Sequence, residues 1–335
     1  MPKKHFVLIA LILTVLIVLV SALTVIVGKE GKPEDNEDSE ITPTDREEKQ
    51  TEDPYCLLVL GKDRAAGLTD VIMLVSFDIE NGRICVLQIP RDTYADYGDP
   101  SHNKLNSALA SLGSEKKLES FIEKSFAISI DGYLSLDLNA FRDIVDAVGG
   151  VEIDLPQALY YSDPSQKLYI DLPAGKQRID GRQAEKYVRY RAGYAGGDID
   201  RLDAQKSFLS ALFKSIKSQI RADNAYSVAS SLIGKVNTDV GVSMAVALGL
   251  RAISVDESDL LFFTLPGEAA ISQKSGASYY VMSKKPTQRI LFEYFSCKSS
   301  DIDGERRFVY EKYESFVKIY QKDREVDPMS ADKLD

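Results

Sequence analysis

CLLVLGKDRAAGLTDVIMLVSFDIENGRICVLQIPRDT, residues 56–93, sets the fold class. Cys56–Leu60 is a short apolar run closed by Gly61. Val71–Phe77 and Ile84–Ile89 are two more, joined through Asp78-Ile-Glu-Asn81-Gly82, whose Asn-Gly pair marks a β-hairpin. Outward from this stretch the pattern alternates between helix and strand. Lys104–Leu112 predicts a helix stopped by Gly113, and Leu118–Phe126 another with Ser114 as its cap. Asn139–Val148 has helical spacing and ends at Gly149-Gly150, and Val151–Leu155 alternates as a strand. Asp180 can cap a helix through Glu185, and Leu202–Ile220 is amphipathic through Phe208, Leu209, Leu212, Phe213 and Ile216. Ala225–Val236, Val242–Ile253 and Pro286–Phe295 predict helices, and Leu260–Leu265 a strand. Residues 55–297 therefore form one α/β domain. Residues 298–335 form a tail, in which Asp301–Lys322 predicts one amphipathic helix and the last dozen residues predict disorder.

Upstream, Phe6–Val27 is interrupted only by Thr14, Ser21 and Thr24. As a helix it spans roughly 33 Å, enough to cross a bilayer. Lys3, Lys4 and His5 precede it, so residues 1–5 are expected on the cytoplasmic side and the chain beyond residue 27 outside the cell membrane. Its length favours an uncleaved single-pass anchor over a signal peptide, although Val20-Ser21-Ala22 would suit cleavage. Residues 28–54 are acidic and nearly devoid of hydrophobes, which predicts a disordered tether.

The net charge is −10, but residues 29–53 hold eleven acids and four bases, so the remainder carries only about −3. No basic face suited to nucleic acid is evident. Two histidines, His5 and His102, leave little room for histidine-based triads or zinc sites. Cys56, Cys85 and Cys297 lack metal-ligand spacing and read as buried thiols, with a Cys56–Cys85 disulfide open in an extracytoplasmic setting.

Chemistry concentrates in YVRYRAGYAGGDIDRLDAQ, residues 187–205. Arg189 and Arg191 are two apart, so on an extended segment both would point to one side. Gly193, Gly196 and Gly197 follow. Asp198 and Asp200 then offer caps to a helix carrying Arg201 and Gln205. Guanidinium grips phosphate oxygens in pairs, so an anionic-ligand site is expected. Arg91 follows an apolar strand directly, where ligands of open α/β sheets gather. Lys104 adds charge near a helix start. Asp63 and Asp70 flank one loop and suit a hard cation such as Mg²⁺, with solvated loop acids as the bland alternative.

The aspartate-bearing first loop, IPRDT at 89–93, HNKLNSA at 102–108, FRDIVDAVGGVEIDLP at 141–156, DGRQAEKYVRYR at 180–191 and D-x-x-R-x-x-x-Q at 198–205 together resemble the LytR–CpsA–Psr family of bacterial envelope proteins. The resemblance implies a three-layer α-β-α sandwich with a central mixed sheet whose core holds a polyprenyl-phosphate tail. It implies transfer of a glycan phosphate from a polyprenyl-pyrophosphate carrier to peptidoglycan, with Mg²⁺. By that likeness Asp63 and Asp70 match metal-associated carboxylates. Arg91, Arg189, Arg191 and Gln205 match the pyrophosphate-binding set, which Lys104 would supplement. Asp198 and Arg201 match positions that order the site. Asp92 and Asp198 are the candidate proton acceptors. Leu68 and Ala204 stand where the family often has arginine, a departure that favours the alternative of a non-catalytic polyprenyl-phosphate-binding protein. A lipid-pyrophosphate hydrolase is a further alternative.

Overall fold

The computed structural model describes residues 53–63, 67–98, 103–164, 168–190, 198–219, 234–272, 275–299, 302, 308, 316–318 and 329–330. Within Asp63, 198–205, 316–318, 329–330 and part of Val242–Ser254 it describes backbone only. The membrane anchor expected over residues 6–27 lies outside these residues, and so does the tether expected over 28–54 except for Asp53 and Pro54. Among the described residues no helix is long and apolar enough to cross a membrane.

The apolar runs that open the domain become its central strands. β1 (Tyr55–Asp63), β2 (Leu68–Asp78) and β3 (Arg83–Ile89) form an antiparallel meander, with β4 (Gly132–Asp137) parallel on the far side of β1. β10 (Leu260–Thr264) runs parallel to β3. Short strands β9 (Asn237–Thr238) and β14 (Met329–Ser330) close the two edges. The order is β14-β10-β3-β2-β1-β4-β9, a mixed seven-stranded sheet.

The two-residue period of a strand builds the layers. On β1, Leu57 and Val59 enter one apolar core while Cys56, Leu58 and Leu60 enter the other. The first core is covered by α3 (Leu138–Ala147), α4 (Gly181–Arg189), α5 (Asp198–Gln219) and α6 (Val242–Ser254). The second is covered by α1 (Leu105–Leu112), α2 (Glu115–Phe126) and α7 (Lys284–Tyr294). The fold is thus a three-layer α-β-α sandwich.

Local chemistry fixes the element ends. The β2–β3 turn is held by Asp78, whose Oδ1 accepts from the Asn81 amide at 3.1 Å, and Gly82 takes φ +64°. Ser114 caps α2, and Asp180 forms a capping box with Gln183 on α4. Gly181 lets α4 settle on α3: a Cβ there would lie 2.3 Å from the Arg142 carbonyl oxygen.

Strands missing from the sequence reading are β4, β6 (Leu159–Asp163), β7 (Leu168–Leu172), β8 (Gly175–Ile179), β11 (Gly267–Ser272) and β12 (Ser278–Met282). β6 and β7 form a small hairpin, and β5 (Val151–Leu155) pairs antiparallel with β8 on either side of it in sequence, each pair burying one face. Their polar outward residues interrupt the apolar runs that mark strands.

Two expectations need correction. Within Asp301–Lys322, predicted to be a helix, Phe316–Lys318 is strand β13, paired with β11 because β11 offers an open edge beside β12. Met329–Ser330 pairs with Leu261 and Phe262 of β10, in a stretch expected to be disordered. The helix expected over Ala225–Val236 lies mostly outside the described residues, and its last three residues form a turn. Cys56 and Cys85 are buried free thiols, on β1 and β3 with Ser76 of β2 in register between them. Two strand spacings are about 9–10 Å, beyond the reach of a disulfide.

Candidate active site

Asp70 owes its position to a β-bulge. Gly61 pairs with Val71 and Lys62 with Thr69, so Asp70 is the extra residue on β2. Bulges of this kind re-aim a side chain beside functional sites. On the other flank Ile72 pairs with Ile89, and the same register carried two residues on sets Asp70 opposite Arg91. Arg91 Nη1 donates to Asp70 Oδ1 at 2.9 Å, with the two side chains only 5% and 2% exposed. A buried guanidinium held by a carboxylate on the neighbouring strand has little freedom to move.

The loop after β3 is tied to the start of α1. Leu105 and Asn106 amides donate to the Thr93 and Arg91 carbonyls at 2.9 and 3.0 Å, so these first-turn N–H groups are spent on the loop. Lys104 occupies the N-cap position, and its Nζ donates to Asp92 Oδ1 at 2.7 Å. Asp92 Oδ2 also lies 3.7 Å from Arg91 Nε. The Tyr279 ring of β12 sits 5.5 Å from Lys104 Nζ, and the Tyr280 amide donates to the Asp92 carbonyl at 2.9 Å. Asp70, Arg91, Asp92 and Lys104 therefore form one connected group at the carboxyl end of β3. Two cations balance two carboxylates there.

Arg189 is not on an extended segment. It is the last residue of α4, which the Asp180 capping box starts. Its Nη1 donates to Glu185 Oε1 at 2.6 Å, and Glu185 Oε2 accepts from Arg142 Nη1 of α3 at 3.1 Å. Glu185 thus fixes an arginine on each helix. Sequence reasoning missed this carboxylate and Arg142, although the four-residue spacing to Arg189 was legible.

A cavity of about 460 Å³ is lined by Lys62, Leu68, Thr69, Leu109, Ser135, Leu136, Asp137, Lys235, Val236 and Asn237, among others, and its described lining includes neither Asp70 and Arg91 nor Arg189. Thr69 adjoins Asp70, and Asp137 caps α3, the helix carrying Arg142. Lys62 donates to Glu115 at 2.9 Å, and Asn237 donates to the same oxygen at 3.0 Å. Burial pushes the Glu115 carboxyl up, but the Lys62 contact and its other hydrogen bonds bring it below its ordinary value.

Of the remaining candidates, Asp63 ends β1 opposite Leu68, two residues from Asp70 along β2. Its side chain lies outside the description. Asp198, Arg201 and Gln205 fall in the first two turns of α5 at three- and four-residue spacing, along one side of the helix. Arg191, the glycines at 193, 196 and 197, and His102 lie outside the described residues.

The family model for the LytR_cpsA_psr family matches residues 21–294. The chain belongs to that family. Polyisoprenyl-teichoic acid–peptidoglycan teichoic acid transferase TagV of Bacillus subtilis is 29% identical over 204 residues, 58% of this chain and 52% of that protein. Regulatory protein MsrR of Staphylococcus aureus is 31% identical over 215 residues, 63% of this chain and 64% of its own. Probable cell wall biosynthesis protein LcpB of Corynebacterium glutamicum is 37% identical over 158 residues, 47% of this chain and 36% of its own. The family member described here thus spans between about a third and two thirds of these relatives. Its fold matches the crystal structure of B. subtilis TagV with a TM-score of 0.63 at 23% identity, covering 74% of this chain and 99% of that one. TagT bound to LI-WTA matches at 0.58 and 23%, covering 72% and 89%.

Proposed function

We propose that this LytR–CpsA–Psr protein is a membrane-anchored phosphotransferase. It moves a glycopolymer phosphate from a polyprenyl-pyrophosphate carrier to peptidoglycan outside the cell membrane. The observation that carries this reading is the buried Arg91, locked to Asp70 at a strand's carboxyl end, with Thr69, the residue before Asp70, lining an open cavity. The names of TagV and LcpB, which refer to teichoic acid transfer and wall synthesis, support the same class of reaction.

Phosphoryl transfer asks the protein for position and charge rather than covalent chemistry. Arg91, with Lys104 beside it, faces the pyrophosphate oxygens, and Asp70 and Asp92 hold that pair in place. Arg189, steadied by Glu185, and Arg191, Arg201 and Gln205 complete the grip. A sugar hydroxyl of peptidoglycan attacks the glycan-bearing phosphorus, the bond to the bridging oxygen breaks, and polyprenyl phosphate leaves. The hydroxyl proton passes to a carboxylate. Asp92 is bonded to Lys104 and lies beside Arg91, which suits it to orienting those two side chains, and Asp198 is taken as the acceptor.

The residues fit Mg²⁺ on charge and donor type. Asp70, Asp92, Arg91 and Lys104 sum to zero, so an incoming pyrophosphate brings negative charge that a divalent cation would balance. Among the described residues no group of three His, Cys, Asp or Glu forms a protein-built cage. Mg²⁺ commonly takes only one or two carboxylates plus phosphate oxygens, and Asp63 and Asp70 are the carboxylates that would supply them. When bound, the ion would polarise the phosphate and neutralise the leaving group.

The test is transfer of a lipid-linked glycan by Arg91→Ala and Arg189→Ala proteins. Each is expected to lose roughly 10²–10³-fold in rate. Full transfer by both would end the assignment. Lipid that co-purifies without turnover would leave a binding protein, and release of free phosphorylated glycan would indicate hydrolysis.

A further inference from the structure

The β6–β7 hairpin carries an aromatic face that the transfer site does not use. Its inward side chains, Leu159, Leu168, Ile170 and Leu172, are buried in the main core, and β7 packs on α4. Its outward positions are Tyr160, Ser162, Tyr169 and Asp171. Tyr160 is 64% exposed and Tyr169 55%, and few large apolar side chains among the described residues are so open to water. Tyr160 pairs with Asp171 and Ser162 with Tyr169, so the two tyrosines are diagonal neighbours on one face. Their Cβ atoms are roughly 7–8 Å apart, which leaves room for two rings to meet different residues of an extended ligand.

We propose that this face binds an uncharged glycan strand. Tyrosines on a paired, core-backed hairpin offer flat apolar area at low entropic cost, and sugar rings present apolar C–H faces that rest on such surfaces. The Ser162 hydroxyl and the Asp171 carboxylate between and beside the rings accept hydrogen bonds from sugar hydroxyls. Neither strand contains Lys or Arg. A face whose one formal charge is negative disfavours anionic lipid headgroups and phosphate-bearing polymers. The glycan backbone of the acceptor polymer has the matching chemistry. Naming it as that acceptor rests on the transferase reading, but the binding itself does not.

The experiment uses the full chain in detergent micelles, sedimented with isolated sacculi stripped of anionic polymers, and in parallel a soluble uncharged chito-oligosaccharide followed by tyrosine fluorescence. The chain has no tryptophan to obscure that signal. The Tyr160→Ala/Tyr169→Ala protein should keep its thermal transition, since both side chains are exposed, and bind at least about tenfold more weakly to both probes. Wild-type binding should change less than twofold as salt is raised. Unchanged binding by the double variant overturns the proposal. So does salt-sensitive binding confined to anionic vesicles, or concentration-dependent self-association that the double variant abolishes. Transfer to a short soluble acceptor should be unaffected by the double substitution. If the chain proves to have no transferase activity, sacculus binding still decides this proposal alone.

Discussion

Arg91 and Asp70 sit across from each other where β2 bulges, joined at 2.9 Å and almost sealed from solvent. The pair couples stability to chemistry. Removing Arg91 alone strands a buried carboxylate and should cost about 3–5 kcal/mol. Arg91→Met combined with Asp70→Asn should recover most of that loss in urea unfolding, because neutral partners need no compensation. Transfer should stay depressed by roughly 10²–10³-fold in the double variant. Recovery of both stability and transfer would show that the pair is only structural.

Glu185 governs two arginines on different helices. Glu185→Ala should lower kcat/KM for the lipid-linked donor by about tenfold to a hundredfold, because Arg189 loses the contact that aims it. Glu185→Gln should recover part of the loss by keeping the hydrogen bonds. Steady-state kinetics on the two variants decide this, and equal defects would count against an orienting role.

Gly181→Ala reverses the usual sign of a helical Gly-to-Ala change. In an open helix the substitution stabilises by roughly 0.5–1 kcal/mol. Here the new methyl meets the Arg142 backbone. The helices must part, and the expected cost is about 1–3 kcal/mol. Thermal melts would show a lower Tm, and Arg189 would shift with α4.

The three thiols should behave as one class. All are buried and free, and burial pushes Cys85 up to about 12 and Cys56 well above its ordinary value. A thiol reagent should find almost none reactive in the native protein and all three in denaturant. Insensitivity of Tm to reductant is the companion result.

Asp78 gives the protein an acid-sensitive corner. Burial raises its carboxyl, but bonds from Asn81 and Arg83 outweigh this and hold it below its ordinary value of 3.8. Its contribution is therefore complete above the unfolded pKa of about 4 and is lost as pH falls from there through the lower folded one. Asp78→Asn should flatten that limb of a Tm-versus-pH curve and lower Tm at neutral pH.

The sheet's centre was legible because β1, β2 and β3 are buried on both faces and read as plain apolar runs. β4 was not, since Ser135 and Asp137 break its pattern where it reaches the cavity. The hairpin β6–β7 and strand β8 escaped for the same reason, with charged or hydroxyl residues at alternate positions, whereas β5 was legible from its alternation. At the site, IPRDT placed Arg91 just beyond an apolar strand in advance, and HNKLNSA placed Lys104 near a helix start. The pairing of Arg91 with Asp70 depends on a bulge, which no local spacing encodes. Arg189 was placed on the wrong backbone because the Asp180 capping box carries α4 further than Glu185.

The small strands at 316–318 and 329–330 complete edges whose partners were made some fifty to seventy residues earlier. Until those residues emerge, β10 and β11 present raw hydrogen-bonding margins to any other extended chain. Residues 316–318 and 329–330 thus cover two margins that would otherwise invite misassembly.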